Sequence, residues 1–415
     1  MSSPSASPFG ALRHYRELPP VYGLANMLVA LIARTPYAML PLGIMTAFTA
    51  SSGDLAVGGL ASGIFSISVA LCSPLVGRAA DLWGQRRTLL TLVPLNSVAL
   101  LGLFWAATTG ILGAPLLVLC VFAGATVVPV GSFTRAKWVS FGTNARVLNA
   151  AFSYESMADE MLFVLGPTLV GISASLAAPA APLLLAFAFM AVAGTAFALT
   201  SPRSLEAVSQ EPEAVTTMDE RPAIFVVVRA VLPAVITLMS IGMFFGATQA
   251  GTTARADLLG VSSQAGLVYA VMGIGSAIAS LAVVMLPATF RVPWRLITFA
   301  IGMAISTSVV AMLTTIPSTV GWLALTGVFV GPTMVTAFTV AEHLAPRGGI
   351  SVAMTLMQSS VTVGVSLGST IGGSVAQNLG AQPAYFLGAL ASAIIIVVGG
   401  VLLLPSYQKR HRDVA

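Results

Sequence analysis

Gly77-Arg-Ala-Ala-Asp-Leu-Trp-Gly-Gln-Arg-Arg87 places one acid and three arginines between two long apolar runs. About 20 apolar residues cross a bilayer, so the flanking stretches 55–76 and 88–108 are of spanning length and this segment joins them. Gly77 and Gly84 let the chain turn tightly, and Asp81 is placed to cap a neighbouring helix start or to pair with a nearby base. Arg78, Arg86 and Arg87 put the loop on the cytoplasmic side. A basic loop that only fixed topology would need the arginines but not the Asp and Gly spacing.

Composition carries the same message along all 415 residues. The chain is 57% hydrophobic and 8% charged, with a mean hydropathy of +0.93. That leaves too few charges to cover a soluble surface. A formal net charge of +5 raises the question of nucleic acid, but the bases are scattered between apolar runs without interleaved aromatics, so no nucleic-acid partner is expected. Cys72 and Cys120 lie in apolar runs as core fillers, and His14, His343 and His411 form no ligand spacing, so neither a disulfide framework nor a metal site is expected. No cleavable signal peptide is visible, because the first apolar run is itself of spanning length.

Twelve such runs are expected, at 22–46, 55–76, 88–108, 114–140, 146–176, 180–200, 230–253, 263–287, 293–314, 318–342, 350–378 and 382–405. The bases test that number, since an even count places both termini on one side with Lys and Arg in alternate loops. Seventeen of the 19 fall there. The exceptions are Arg255, expected in an outside loop, and Arg34, in mid-helix. Five acids and three prolines between Ser201 and Arg229 mark a cytoplasmic linker. The expected organisation is a polar, mobile tail (1–21), an N-terminal six-helix bundle (22–200), the linker (201–229), a C-terminal six-helix bundle (230–405) and a cytoplasmic tail (406–415).

The halves resemble one another. Leu165-Gly-Pro-Thr-Leu-Val-Gly171 matches Leu367-Gly-Ser-Thr-Ile-Gly-Gly373, and Phe133-Thr-Arg-Ala-Lys137 matches Phe338-Thr-Val-Ala-Glu342. A six-helix unit repeated about an axis along the membrane normal places a cavity between the halves near the midplane, and alternating access follows from the symmetry. Asp159 and Glu160 align with Val361 and Thr362, which concentrates ionisable chemistry in the first half.

The loop 77–87 resembles the signature of the major facilitator superfamily, Gly-x-x-x-Asp-x-x-Gly-x-Arg-Arg, through Gly77, Asp81, Gly84, Arg86 and Arg87. The resemblance implies an all-α membrane protein of twelve helices in two pseudo-symmetric bundles, with this loop latching the cytoplasmic side. The second copy, Phe290-Arg-Val-Pro-Trp-Arg295, is degenerate, so the latch is expected to be asymmetric. Gly166, Pro167 and Gly171 are similar to the helix-five motif associated with antiporters in that superfamily, although Val170 stands where a glycine is expected and Leu162 replaces another.

Chemistry is expected where the oil is interrupted. Ionisable groups inside a membrane are costly and mark function by default. Glu155 and Asp159 share one helix face with Leu162 and Gly166, while Glu160 shares another with Val164, Pro167 and Gly171. One stripe is expected inside the bundle and the other at the moving interface. Arg34 and Asp159 both lie roughly 18 to 20 Å from the cytoplasmic ends of their helices, and Arg34 is expected to pair with Asp159 or Glu160. A permanent ion pair and a pair broken by proton uptake are both open. Arg135 and Lys137 lie at the depth of Glu155 as an inner charge pair, either gating or structural. Proton coupling is assigned to Asp159, Glu160, Arg34 and Glu155, and the substrate cavity to Arg34, Gln249, Glu160 and Arg135. Glu342 and His343 are expected at a solvated helix end.

No enzyme signature or Walker-type loop is present, so an ion gradient or the substrate's own gradient supplies the energy and no cofactor is expected. The first reading is a monomeric, multi-pass transporter of the plasma (inner) membrane with both termini cytoplasmic, exporting a small organic compound against protons. An uptake symporter, a passive facilitator, and a non-transporting receptor or lipid-handling protein are the alternatives. Alkaline phosphatase fused at Gly113 should be active and the same enzyme fused within 201–229 inactive; the reverse pattern would invert the topology.

Overall fold

Twelve helices among the described residues are long and apolar enough to cross a membrane. The computed structural model describes residues 8–201, 222–261, 265–287 and 289–403, so most of the linker 201–229 and the tail 406–415 fall outside it. The spans are α1 Leu24–Ser52, α2 Leu55–Trp83 and α3 Gln85–Thr109. Next come α4 Ala114–Ser140, α5 Ala145–Leu176 and α6 Ala181–Thr200. The second half comprises α7 Ile224–Leu258, α8 Ala265–Met285, α9 Val292–Met312, α10 Ile316–Leu344, α11 Ile350–Leu379 and α12 Ala381–Leu403.

Helices run further than hydropathy suggests, because their polar ends are solvated without being unwound. α2 continues through Asp81 to Trp83, and the expected loop shrinks to Gly84, whose φ of 85° suits a residue without Cβ. Arg229 and Arg255, placed in loops by sequence, are both inside α7. Arg255 is buried and stacks on Tyr385. Its Nη1 donates to the Val310 carbonyl at 2.6 Å and its Nη2 to the Ala311 carbonyl at 3.0 Å. It closes the end of α9, which explains why it ignores the charge rule.

Among the described residues three apolar cores form, one within each half and a smaller one of Leu18, Tyr22, Met27, Trp138, Val147, Ala150 and Ala151. Ala136 and Phe152 of the first half join the core of the second. The halves therefore meet at the end that carries Gly84, Arg146 and Arg291, the basic end. There α11 is buried almost all round from Ser351 to Val361, whereas beyond Thr362 only Gly364, Gly368 and Gly372 remain buried. Residues Pro8–Glu17, expected in a free tail, instead form a 3₁₀ segment packed on α5 and on the Val283–Met285 turn of α8. Tyr15 Oη donates to the Leu281 carbonyl at 2.6 Å. Burial pushes this phenol up to about 12, so it remains a donor at physiological pH.

Within the second half, α7 and α11 approach through Gly242, Gly246, Gly364 and Gly368, where a Cβ would run into the opposite backbone. Gly364→Leu should lower the melting temperature of the detergent-purified protein, with about 1–3 kcal/mol lost to overpacking. Gly373→Ala, which meets open space, should leave it unchanged, and equal melting of both variants would contradict this packing.

Candidate functional site

A break in α4 builds the site. Helical segments Ala114–Ala125 and Val130–Ser140 are separated at 126–129, where hydropathy alone suggests one continuous span. Irregular backbone at membrane depth needs protein partners. Asn96 of α3 supplies them, donating to the Ala123 carbonyl at 3.0 Å and to Thr126 Oγ1 at 3.3 Å. The second segment then brings Gly131, Thr134, Arg135 and Trp138 against α1 and α5.

Two guanidiniums and two carboxylates converge there. Arg34 Nη2 donates to Glu155 Oε2 and to Thr134 Oγ1, and Arg34 Nη1 to Asp159 Oδ1 at 3.3 Å. Arg135 Nη2 donates to Asp159 Oδ2 at 2.6 Å. Glu155 is completed by the Thr134 hydroxyl at 2.7 Å and Trp138 Nε1 at 2.9 Å. The side chains of Arg135, Glu155 and Arg34 are 0%, 1% and 5% exposed, while Asp159 is 14% exposed. Asp159 is the member of the cluster that solvent reaches. Formal charges cancel, as burial requires.

Four contacts tie this cluster and its neighbours to the second half, one of them the Ser132 hydroxyl of α4 donating to the Met354 carbonyl of α11 at 3.1 Å. The Arg135 guanidinium lies 3.8 Å above the Phe338 ring of α10. The Ser276 hydroxyl of α8 donates to Glu160 Oε1 at 2.8 Å. Tyr37 of α1 and Thr362 of α11 share a hydrogen bond of 2.7 Å. The two stripes of α5 separate accordingly, Glu155 and Asp159 turning into the first half and Glu160 turning to the second. Several pairings depart from expectation. Arg34 meets Asp159, one of its two expected partners, and adds Glu155, while Glu160 points around the helix to α8. Arg135 takes Asp159 instead of forming an inner pair with Glu155. Among the described residues Lys137 pairs with no acid; its Nζ donates to Tyr22 Oη and Ser201 Oγ, both at 3.3 Å.

The basic end is held by Asp81, whose carboxylate accepts from the backbone N–H groups of Ser351 and Val352, each at 3.1 Å. This caps α11 and complements its dipole. Gly77 is a close-approach residue inside α2 and not a turn, since a Cβ there would run into Ser351 and Thr355 of α11. Arg78 donates to the Pro222 carbonyl. Arg86 and Arg87 occupy the first turn of α3.

A sequence model of the Major Facilitator Superfamily matches residues 22–324 and 256–415. The chain belongs to that superfamily. No curated protein sequence matches it significantly. Among solved structures it is similar to the human organic anion transporter MFSD10 (TETRAN), 15% identical over 93% of this chain and 99% of that one, with a TM-score of 0.66. A bacterial homologue of the iron transporter ferroportin in its outward-facing state is 15% identical, with 90% and 97% covered and a TM-score of 0.68. The fucose:proton symporter FucP of E. coli is 14% identical, with 93% and 98% covered and a TM-score of 0.66. At these identities the likeness speaks for the fold alone, the twelve-helix fold of the superfamily.

The remaining superfamily positions fall out unevenly. Gly166 lies against the Ala38 backbone, where a Cβ would come within 2.7 Å of the carbonyl oxygen, while Gly171 faces open space and Pro167 is exposed. Gln249, expected deep in the membrane, is exposed and lies nine residues before the far end of α7. With Thr253, Asp257, Ser369 and Gln377 it lines an open groove of about 780 Å³ between α7 and α11. Glu342 and His343 pair at 2.8 Å near the basic end, and Glu342 is more buried than a solvated helix end implies. Thr134, Trp138, Ser276, Tyr37 and Phe338 were not singled out by sequence. The repeat Phe133–Lys137 against Phe338–Glu342 held the signal for two of them. Among the described residues no three His, Cys, Asp or Glu side chains gather to hold a metal ion.

Removing Arg34 leaves Glu155 buried with Thr134 and Trp138 alone, a loss of about 3–5 kcal/mol. Arg34→Gln should therefore melt well below the parent protein, and adding Glu155→Gln should restore part of the loss; no recovery in the double variant would show that the two do not act as a pair.

Proposed function

We propose that this chain is a proton-coupled secondary transporter of a small organic compound, working by alternating access in the plasma membrane with both termini cytoplasmic. The observation that carries the reading is Glu160. It is a buried carboxyl at the seam between the halves, and its described partner is the Ser276 hydroxyl, not a cation. A carboxylate without a cation is expensive in such a place, so Glu160 holds a proton while the seam is closed and gives it up when tilting wets it. Asp159, the preceding residue on the helix and partly exposed, is the second exchanging acid. With the basic end cytoplasmic, Asp81, Gly77, Gly84, Arg86 and Arg87 form the cytoplasmic latch, and the structure corresponds to the state closed inward.

Two directions follow from different observations. Export by proton antiport is supported by the helix-five stretch 166–171, although Gly166 also has a packing role there. Symport is favoured by the arginine pair: two guanidiniums share Asp159, so a proton on that acid frees positive charge instead of competing with it. For proteoliposomes with a trapped pH dye, addition of a transported compound should move protons. Movement in the same direction as the compound marks symport, and opposite movement marks antiport. Glu160→Gln should reduce the proton movement, and Asp159→Asn with Glu160→Gln should abolish it while compound exchange persists. Compound movement without any proton movement would make the protein a passive facilitator and end the coupling proposal.

A further inference from the structure

The arginine pair also has unused donors. Arg34 Nε and Arg135 Nε are both buried without a partner, and a buried N–H left unmade costs about 1–3 kcal/mol. Asp159 meets both guanidiniums through Nη atoms, and Arg34 Nη2 is taken by Glu155 and Thr134, so the donors left over for an incoming anion are the two Nε–H groups. Gly131, without a side chain, adds room for one more carbon atom beside the two guanidiniums and Asp159. A Cβ there would sit 3.5 Å from Arg135 Nη1 and Asp159 Oδ1 and 3.8 Å from Arg34 Cζ. Access lies on the Asp159 side, where exposure is 14% against 0% for Arg135.

We infer that the transported compound is a small organic anion, whose carboxylate takes the place of Asp159 between Arg34 and Arg135 while Asp159 takes up a proton from the open aqueous side. This rests on the cluster being the transport site. A cation would have to approach two guanidiniums to reach one carboxylate, and a neutral compound would leave Asp159 where it is. An anion exchanges one carboxylate for another, fills the orphaned Nε donors and keeps the buried charge balanced once Asp159 is neutral. The charged and titratable groups around Asp159 are Arg34 and Tyr37 of α1, Arg135 of α4 and Glu155 and Glu160 of α5. Tyr269 of α8 lies beyond, beside Glu160. Of these, Asp159 is the carboxylate shared by both arginines, so proton and anion bind together.

Thermal shifts of the detergent-purified full chain test this with pyruvate, hexanoate and benzoate, against hexanamide, benzamide, hexylamine and benzylamine. At least one carboxylate should stabilise the protein, with an affinity about tenfold or more higher at pH 5.5 than at pH 8; its amide and amine should not. Asp159→Asn should bind that carboxylate equally at both pH values, and Arg135→Lys should weaken it about tenfold or more. Stabilisation by the amines, by the amides alone, or by no member of the set would overturn the anion assignment. So would an Asp159→Asn protein that melts normally but has lost the response. The wild-type comparison stands even where a variant fails to fold. Anion binding without proton movement in proteoliposomes would remove the coupling proposal and leave the substrate class intact.

Discussion

Everything in the first half is arranged so that two guanidiniums and two carboxylates can sit together away from water. An isolated charge in such a place costs several kcal/mol, and the cluster is tolerable only as a balanced set with its hydrogen bonds made. That requirement fixes the geometry of three helices at once. Arg34 sets the rotation of α1, Glu155 and Asp159 set that of α5, and Arg135 and Thr134 need α4 to break at 126–129 so that its second segment can reach them. The break in turn needs Asn96 of α3. Four helices are thus tied to one electrostatic condition.

The second half contributes almost no charge near the site, yet it touches the cluster and its surroundings through Phe338, Ser276 and Thr362. These are weak contacts compared with an ion pair. A ring above a guanidinium and two hydroxyl hydrogen bonds hold about as much free energy as a few kcal/mol between them. That balance would suit the proposed opening and closing of the seam. Around the arginines the ion pairs stay within the first half, and the charge-assisted bonds that cross between halves are those of Asp81 to the start of α11.

The architecture was legible because hydropathy and the alternation of bases are summed over long segments, and local errors cancel. Twelve runs and the loop at 77–87 were enough for the fold. The three acids of α5 and the mid-helix Arg34 were also legible, since each violates the cost of charge in oil. Pairing was not. Whether Arg34 meets Glu155 or Glu160 depends on a rotation of α5 that its sequence leaves open, and only the packing of Gly166 on Ala38 and of Glu160 toward Ser276 fixes it. Gln249 misled for a related reason: α7 runs five residues past its expected end, to Leu258, so apparent depth from one side said little about distance from the other. Arg255 looked like a loop residue because a charge count cannot see that the last carbonyls of α9 need a donor.

The glycine seam between α7 and α11 has a mechanical corollary. Backbones in contact over Gly242, Gly246, Gly364 and Gly368 leave no compliant side chains to absorb shear, so the two helices behave as a single stiff beam. One tip of that beam is the capped start of α11 resting on Asp81, and the other borders the groove around Gln249. The groove and the Asp81 cap are therefore joined by one rigid element that runs the length of both helices.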